Sequence, residues 1–279
     1  MKLPYLHDEM DARGKRVLIT GASGTFGAAI AEAFVARGAE VVGLDLHPQP
    51  ADSIEVIACD ITDNDSVVAG VDKAIELLGG LDILINNAGT GGPAPAEFAP
   101  DAELYRQLEI NLIGAWRVTA ACVPALTESR GRIVMVASRM AVMQLPLAAA
   151  YGVSKRAMVA YADALRLELS THVGVTTVYP SAVRSPIHNS TKEAGLSLEG
   201  MSVYEPLEGV VGAIVNAALS RTVRRDVPTS RRGELEFFAS RHFPFLVDQM
   251  VNRTLSKRIL SGAFDSAELA RGVVSRHRT

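Results

Sequence analysis

Apolar residues along this chain fall into two alternating patterns. Short runs are continuously apolar: Arg16–Thr20, Glu40–Leu44, Ser53–Ala58, Leu81–Asn86, Arg132–Ala137 and Val175–Tyr179. Between them lie longer stretches with helical spacing, from Phe26 to Arg37, Val67 to Leu78, Asp101 to Glu128 and Ala148 to His172. Runs that do not alternate apolar with polar are the mark of strands buried on both faces, as in a parallel sheet. Strand–helix alternation of this kind predicts an α/β fold: a doubly wound, Rossmann-type parallel sheet in three α/β/α layers.

After Pro180 the pattern loosens. Ser181–Tyr204 mixes polar and apolar residues around Pro186 and reads as an ordered loop with a short helix. Leu207–Leu219 is predicted helical, Val223–Val227 a weaker last strand, and the chain beyond Ser230 two or three helices. The expected organisation is one main domain over residues 12–229 with a helical extension over 230–279, serving as a lid or an oligomer contact.

The chain has 279 residues, of which 48% are hydrophobic, and a net charge of −3, which is incompatible with intrinsic disorder. No run approaches ~18 uninterrupted apolar residues, so no spanning helix is expected. The segment Met1–Gly14 lacks the hydrophobic run of a signal peptide, and a cytoplasmic location is the expectation. Two cysteines, Cys59 and Cys122, supply neither a disulfide framework nor a CxxC metal site. Residues 221–279 carry 12 Lys and Arg against 6 Asp and Glu, whereas residues 1–220 carry 16 against 25. An acidic body and a near-neutral total argue against a nucleic-acid partner.

Chemistry enters at Thr20-Gly21-Ala22-Ser23-Gly24-Thr25-Phe26-Gly27, between the first strand and first helix. Glycines at 21, 24 and 27 let the backbone turn sharply and approach a pyrophosphate, whose charge a helix N-terminus favours. A tight structural turn would also use glycine. However, Asp45 closes the second strand 18 residues after Gly27, where an acid can accept from the adenosine ribose. That carboxylate would repel a 2′-phosphate, and its neighbours Leu44, Leu46 and His47 offer no Arg or Lys, so NAD is expected over NADP.

Tyr151 and Lys155, four apart, share a helix face, and Ser138 lies just beyond the carboxyl end of the Arg132–Ala137 strand, where open α/β sheets bind ligands. Spacing alone carries little weight, but a tyrosine near a cation suits proton transfer. A free phenol with pKa ~10 is a poor base at neutral pH, and nearby positive charge favours its ionised form.

With Asp60 in CDITD, Asn86-Asn87-Ala88-Gly89, Asn111 and Pro180 added, the chain resembles the short-chain dehydrogenase/reductase family, in its type with subunits of about 250 residues, over residues 14–220. The resemblance implies that Asp60 and Ile61 hold the adenine and that Asn87, Ala88 and Gly89 pack against the adenosine end. Ser23, Thr25 and Phe26 belong to the phosphate turn, and Pro180, Val183 and Ser185 flank the nicotinamide. Tyr151 becomes the acid/base, Ser138 the group that orients the substrate oxygen, and Lys155 the residue that lowers the Tyr151 pKa and grips the ribose. Asn111 holds a water that relays protons to Lys155. The implied reaction interconverts an alcohol with a ketone or aldehyde by pro-S hydride transfer to NAD, in a homodimer or homotetramer built on the two long helices.

Two features depart from the family. Gly24 stands one place early with Thr25 behind it, a spacing that resembles NADP-linked sugar-nucleotide epimerases and dehydratases, and Ser181 and Ser185 replace Gly and Thr. A dinucleotide sensor without catalysis is the other rival, against which the intact Asn111, Ser138, Tyr151 and Lys155 argue. The segment Arg139–Ala150 and Ile187, Leu196, Leu198, Met201 and Val203 would line a pocket for a bulky hydrophobic substrate, or else pack the domain. Arg139 and Arg184 suit surface salt bridges better than an acidic substrate. In the tail, Phe237, Phe238, Phe243 and Phe245 sit among Arg231, Arg232, Arg241 and His242, a composition that fits a lid, an oligomer contact or a membrane-surface patch.

Overall fold

The computed structural model describes residues 11–50, 53–185, 189–196 and 204–278. Its chain order is β1 (Arg16–Thr20), α1 (Thr25–Val35), β2 (Glu40–Asp45), β3 (Glu55–Ala58), α2 (Asn64–Leu78) and β4 (Ile83–Asn86). Then come α3 (Ala102–Leu108), α4 (Ala115–Ser129), β5 (Arg132–Val136), α5 (Ala149–Glu168), β6 (Gly174–Tyr179) and α6 (Asn189–Glu193). The chain finishes with α7 (Leu207–Leu219), β7 (Asp226–Pro228), α8 (Arg231–His242), α9 (Pro244–Leu260) and α10 (Arg271–Arg278). All seven strands pair in parallel in the order β3-β2-β1-β4-β5-β6-β7. The order reverses between β1 and β4, the switch point where ligands of doubly wound sheets bind.

Alternate residues of each strand feed opposite layers. Leu18 joins Leu44, Val71, Leu126 and Met158 in the core beneath α2, α4 and α5. Val17 and Ile19 join Ile30, Phe34, Val210 and Ile214 beneath α1 and α7. This two-sided burial is why the strand sequences do not alternate.

Two element predictions are corrected. The stretch Asp101–Glu128 is not one uniform helix, because a π-helical segment, Glu109–Gly114, separates α3 from α4. There Gly114 lies so close to Ile61 that a Cβ would meet its side chain at 2.8 Å, and Asn111 turns wholly inward. The last strand is Asp226–Pro228 rather than Val223–Val227, since Val223 packs over Gly174 instead of entering the ladder. The helical run Ala102–Ser129 is long and apolar enough to satisfy a spanning helix by length and composition. Its Val118, Cys122 and Leu126 are nevertheless fully buried against the sheet as core.

The extension has a small core of its own. Leu255 and Ile259 of α9 cluster with Phe264, Ala267 and Ala270, and this cluster covers Leu147 before α5 and Leu196 after α6. Leu147 holds φ of +66°, a conformation costly for a branched side chain, and that packing holds it in place. The Arg276–Glu97 ion pair at 2.7 Å fastens α10 to the loop after β4. On its outer side the extension leaves Phe238, Phe243, Phe245 and Leu246 exposed.

Candidate active site

A cleft of about 800 Å³ opens at the carboxyl ends of β1, β2, β4, β5 and β6. Its floor is the turn after β1. Gly21 has φ of +66°, and a Cβ there would meet the Ala88 Cα at 2.9 Å. A Cβ on Gly27 would sit 2.0 Å from the Gly21 carbonyl oxygen. Only glycine fits either position, whereas Gly24 meets nothing closer than 3.3 Å. Asp63, Asp101 and Ser230 cap α2, α3 and α8 by accepting backbone N–H bonds, but α1 begins at Gly24 with no side-chain cap and no acid in its first turn. Gly24, Thr25 and Phe26 at its start line the cleft, where a helix N-terminus supplies the electrostatics a pyrophosphate requires.

The switch crevice is fixed by a residue the sequence reading did not single out. Thr20 Oγ1 accepts from the Asn87 and Ala88 amides at 3.1 and 3.0 Å, while Asn87 Nδ2 donates to the Thr20 carbonyl at 3.0 Å. Thr20 stands inside the glycine motif, but its role needs the β1–β4 adjacency, which sequence order does not reveal. Asp45 at the end of β2 takes the Ser23 amide on Oδ2 at 2.9 Å and the His47 amide on Oδ1 at 3.0 Å, so it tethers the turn as well as facing the cleft. Thr62 donates both its hydroxyl (2.7 Å) and its amide (2.9 Å) to Asp60 Oδ1, and these bonds hold that carboxyl below its ordinary pKa.

Ser138 follows β5 and caps a short turn over Arg139–Ala141, accepting the Met140 amide at 3.1 Å. Tyr151 and Lys155 project from the first two turns of α5. Burial pushes the Tyr151 phenol above its ordinary pKa, and a side-chain hydrogen bond with Ser138 opposes that rise. Lys155 is buried, its Nζ donates to the Val136 carbonyl at 2.9 Å, and desolvation brings its pKa down to about 8. In the chain by itself burial is the larger influence on this phenol, and the lowering expected from Lys155 together with the oxidised nicotinamide ring would act against it. Asn111 Oδ1 accepts the Thr90 amide at 2.7 Å, and its Nδ2 donates to the Thr90 carbonyl and Ser154 Oγ, both at 2.9 Å. A Cβ on Gly89 would lie 3.1 Å from Asn111 Oδ1 and 3.2 Å from Lys155 Nζ, so glycine keeps open the space those two groups share.

Gly21, Gly24, Thr25 and Phe26 line the cleft with Asp45, Asp60 and Ile61. So do Asn87, Ala88 and Gly89 after β4, Ser138, Tyr151 and Lys155, and Pro180, Val183 and Ser185 after β6. Ser23, Gly27 and Asn111 stand behind that wall and support it. Of the two alternatives for Arg139–Ala150, most of the segment takes packing: Ala141, Met143, Leu145 and Leu147 are buried, and only Arg139 and Met140 of it reach the cleft. Leu196 is likewise core, and Ile187, Leu198, Met201 and Val203 lie outside the described residues. Arg139 forms a buried ion pair with Glu236 at 2.6 Å rather than a surface one, and Arg184 lies over the Tyr204 ring at 5.8 Å.

Comparison with known proteins places this geometry. L-fucose dehydrogenase of Bos taurus is 32% identical over 207 residues, covering 70% of this chain and 77% of that one. A 3-ketoacyl-(acyl-carrier-protein) reductase from Brucella melitensis, solved with NADH, superposes with TM-score 0.70 at 27% identity, covering 78% of this chain and 97% of that one. A short chain dehydrogenase from Burkholderia cenocepacia J2315, solved with NADP, gives TM-score 0.73 at 25% identity over 87% of this chain and 99% of that one. The family described as short chain dehydrogenase matches residues 15–195. With the glycine turn, the switch-point clamp and the Ser138–Tyr151 pair in one cleft, the chain belongs to the short-chain dehydrogenase/reductase family of oxidoreductases.

Proposed function

We propose that the protein is an NAD-dependent dehydrogenase that interconverts a secondary alcohol and a ketone, with Tyr151 as acid/base. The observation that carries this reading is a single cleft lined by Ser138, Tyr151 and Lys155 together with the glycine turn. When bound, NAD supplies the hydride acceptor and, in its oxidised form, a positive ring charge that favours phenolate. The first turn of α1 holds the pyrophosphate, Asp45 accepts from the adenosine ribose and excludes a 2′-phosphate, and Asp60 with Ile61 meets the adenine. Pro180, Val183 and Ser185 flank the nicotinamide.

Tyr151 takes the hydroxyl proton of the alcohol, and Ser138 steadies the oxygen as charge develops on it. Lys155, with a pKa of about 8, is mostly cationic at neutral pH and grips the ribose while favouring the ionised phenol. A water in the space over Gly89, between Asn111 Oδ1 and Lys155 Nζ, passes the proton outward. Apolar walls at Met140, Pro180, Ala182 and Val183 favour a bulky apolar carbinol over a polyhydroxylated one. The exposed Tyr105, Trp116, Val153 and Leu167 on the long helices suit a contact between identical subunits. The small core over Leu147 and Leu196 supports the lid reading of the extension.

The test combines calorimetric titration of NAD and NADP with a panel of apolar and sugar alcohols followed by reduced-nicotinamide absorbance. NAD is expected to bind at least tenfold more tightly than NADP. Tyr151→Phe is expected to cut turnover by about 10²–10⁴-fold while NAD affinity stays within threefold. Turnover that survives Tyr151→Phe removes the assigned chemistry, and tight NAD binding without turnover of any alcohol returns the sensor.

A further inference from the structure

We infer that Glu236 of α8 is a positioning residue for the Ser138 turn, acting through Arg139 from the opposite end of the sequence. The inference rests on the reading of Ser138 and Tyr151 as the reacting pair. Arg139 directly follows Ser138, and its backbone amide donates to the Pro180 carbonyl at 2.8 Å, so one residue joins the oxygen-orienting turn to the loop proposed to flank the nicotinamide. Its guanidinium Nη1 donates to Glu236 Oε2 at 2.6 Å, with the two side chains only 7% and 12% exposed. The other carboxylate oxygen, Oε1, accepts from Arg232 Nε at 2.9 Å.

A second contact set secures the same helix to the same loop. Glu205 accepts from Thr229 and from Ser230, the N-cap of α8, and also from the Ser181 amide at 3.4 Å. Phe237, beside Glu236, meets the Tyr179 ring edge-on at 5.0 Å just before Pro180. The first two turns of α8 thus touch Arg139, next to Ser138, and Tyr179, next to Pro180.

Two buried charges are an expensive means of merely attaching a helix, because apolar side chains of similar volume do this as well or better. What an ion pair with directed hydrogen bonds adds is a fixed angle and distance. At Arg139 that fixes the residue next to Ser138, where displacement of about 1 Å can cost on the order of 10²-fold in rate. The signal was present in sequence only as an acid 97 positions downstream.

The test uses the full chain carrying Glu236→Gln, Glu236→Asp or, as the surface control on the same carboxylate, Arg232→Gln. Readouts are kcat and the KM for NAD with the best alcohol of the panel, and amide exchange over residues 136–143. Glu236→Gln is expected to lower kcat about 10- to 100-fold, leave the KM for NAD within twofold, and speed exchange of the Arg139 and Met140 amides at least tenfold. Glu236→Asp should recover part of the rate, and Arg232→Gln should stay within twofold. If Glu236→Gln does not fold, the double variant Arg139→Met with Glu236→Leu removes both charges together and should fold yet keep the low kcat. A folded variant with unchanged kcat and unchanged exchange overturns the inference. If no alcohol turns over in the parent protein, or Tyr151→Phe retains activity, it is the reading of the site that has failed. Amide exchange then decides the positioning role alone, with faster exchange sustaining it and unchanged exchange removing it.

Discussion

In the turn after β1, Gly21, Gly24 and Gly27 fold against one another and against Ala88, all within one local bend and its neighbouring strand. In the extension, the contacts that reach the site join Arg139 to Glu236 and Tyr179 to Phe237. The turn is made of backbone, and at Gly21 and Gly27 a side chain would collide with that backbone. The extension is made of side-chain pairs whose partners depend on how the whole sheet is wound. Constraint on the cofactor half is therefore strict and local, while constraint on the substrate half is distributed and can be changed one pair at a time.

Gly27→Ala should separate the two halves most sharply. Its Cβ would fall 2.0 Å from the Gly21 carbonyl, which belongs to backbone and cannot rotate away. The expected outcome is loss of about 3 kcal/mol or more of stability and no measurable NAD binding, read by chemical denaturation and calorimetry. A Gly27→Ala protein that binds NAD normally would show the turn to be pliable and dissolve the contrast.

The same contrast explains how much of the fold and the site is legible in the sequence. Strands β1, β2, β4, β5 and β6 stood out because two-sided burial leaves them continuously apolar, and the glycines because a turn needs them in sequence. The π-helical segment at Glu109–Gly114 was invisible, since one extra residue in a helical turn leaves the apolar spacing nearly unchanged. Thr20 as a clamp required knowing that β4 lies beside β1. Val223–Val227 was misplaced because a short edge strand carries little pattern, and packing of Val223 on Gly174 settled its register. Of the two readings open for Arg139–Ala150, packing holds for most of it, because apolar residues near a site look alike in sequence whether they face the cleft or the core.

Lys155 belongs to neither half, and pH can isolate it. Its pKa falls from 10.5 to about 8 through desolvation, so between those values the unfolded chain holds a proton that the folded chain has released. Stability from this group therefore rises with pH across that window, and below about pH 8 the buried charge is a net cost. Lys155→Met removes that cost, so the variant's advantage in denaturation should shrink by about 3 kcal/mol between pH 7 and pH 11. Comparing the two proteins at each pH cancels the opposite slope from buried tyrosines such as Tyr161, whose pKa burial raises. A gap that does not close would mean the amine is solvated, which would remove the basis for its action on Tyr151.

Phe237→Ala tests the contrast from the other side. The ring is half-buried against the Tyr179 edge with the Arg241 guanidinium 5.7 Å from its centre, so truncation loses apolar burial, an aromatic pair and a cation contact. Full burial of such a ring is worth 3–5 kcal/mol, and its partial exposure brings the expected loss to about 2 kcal/mol. NAD affinity should stay within twofold, because Phe237 touches the strand end before Pro180 and leaves the glycine turn and Asp45 untouched. Thermal denaturation alongside calorimetry reads both quantities in one preparation. If NAD affinity falls in step with stability, the extension holds the cofactor half as well, and the two regions form a single cooperative unit whose local glycine code is insufficient by itself.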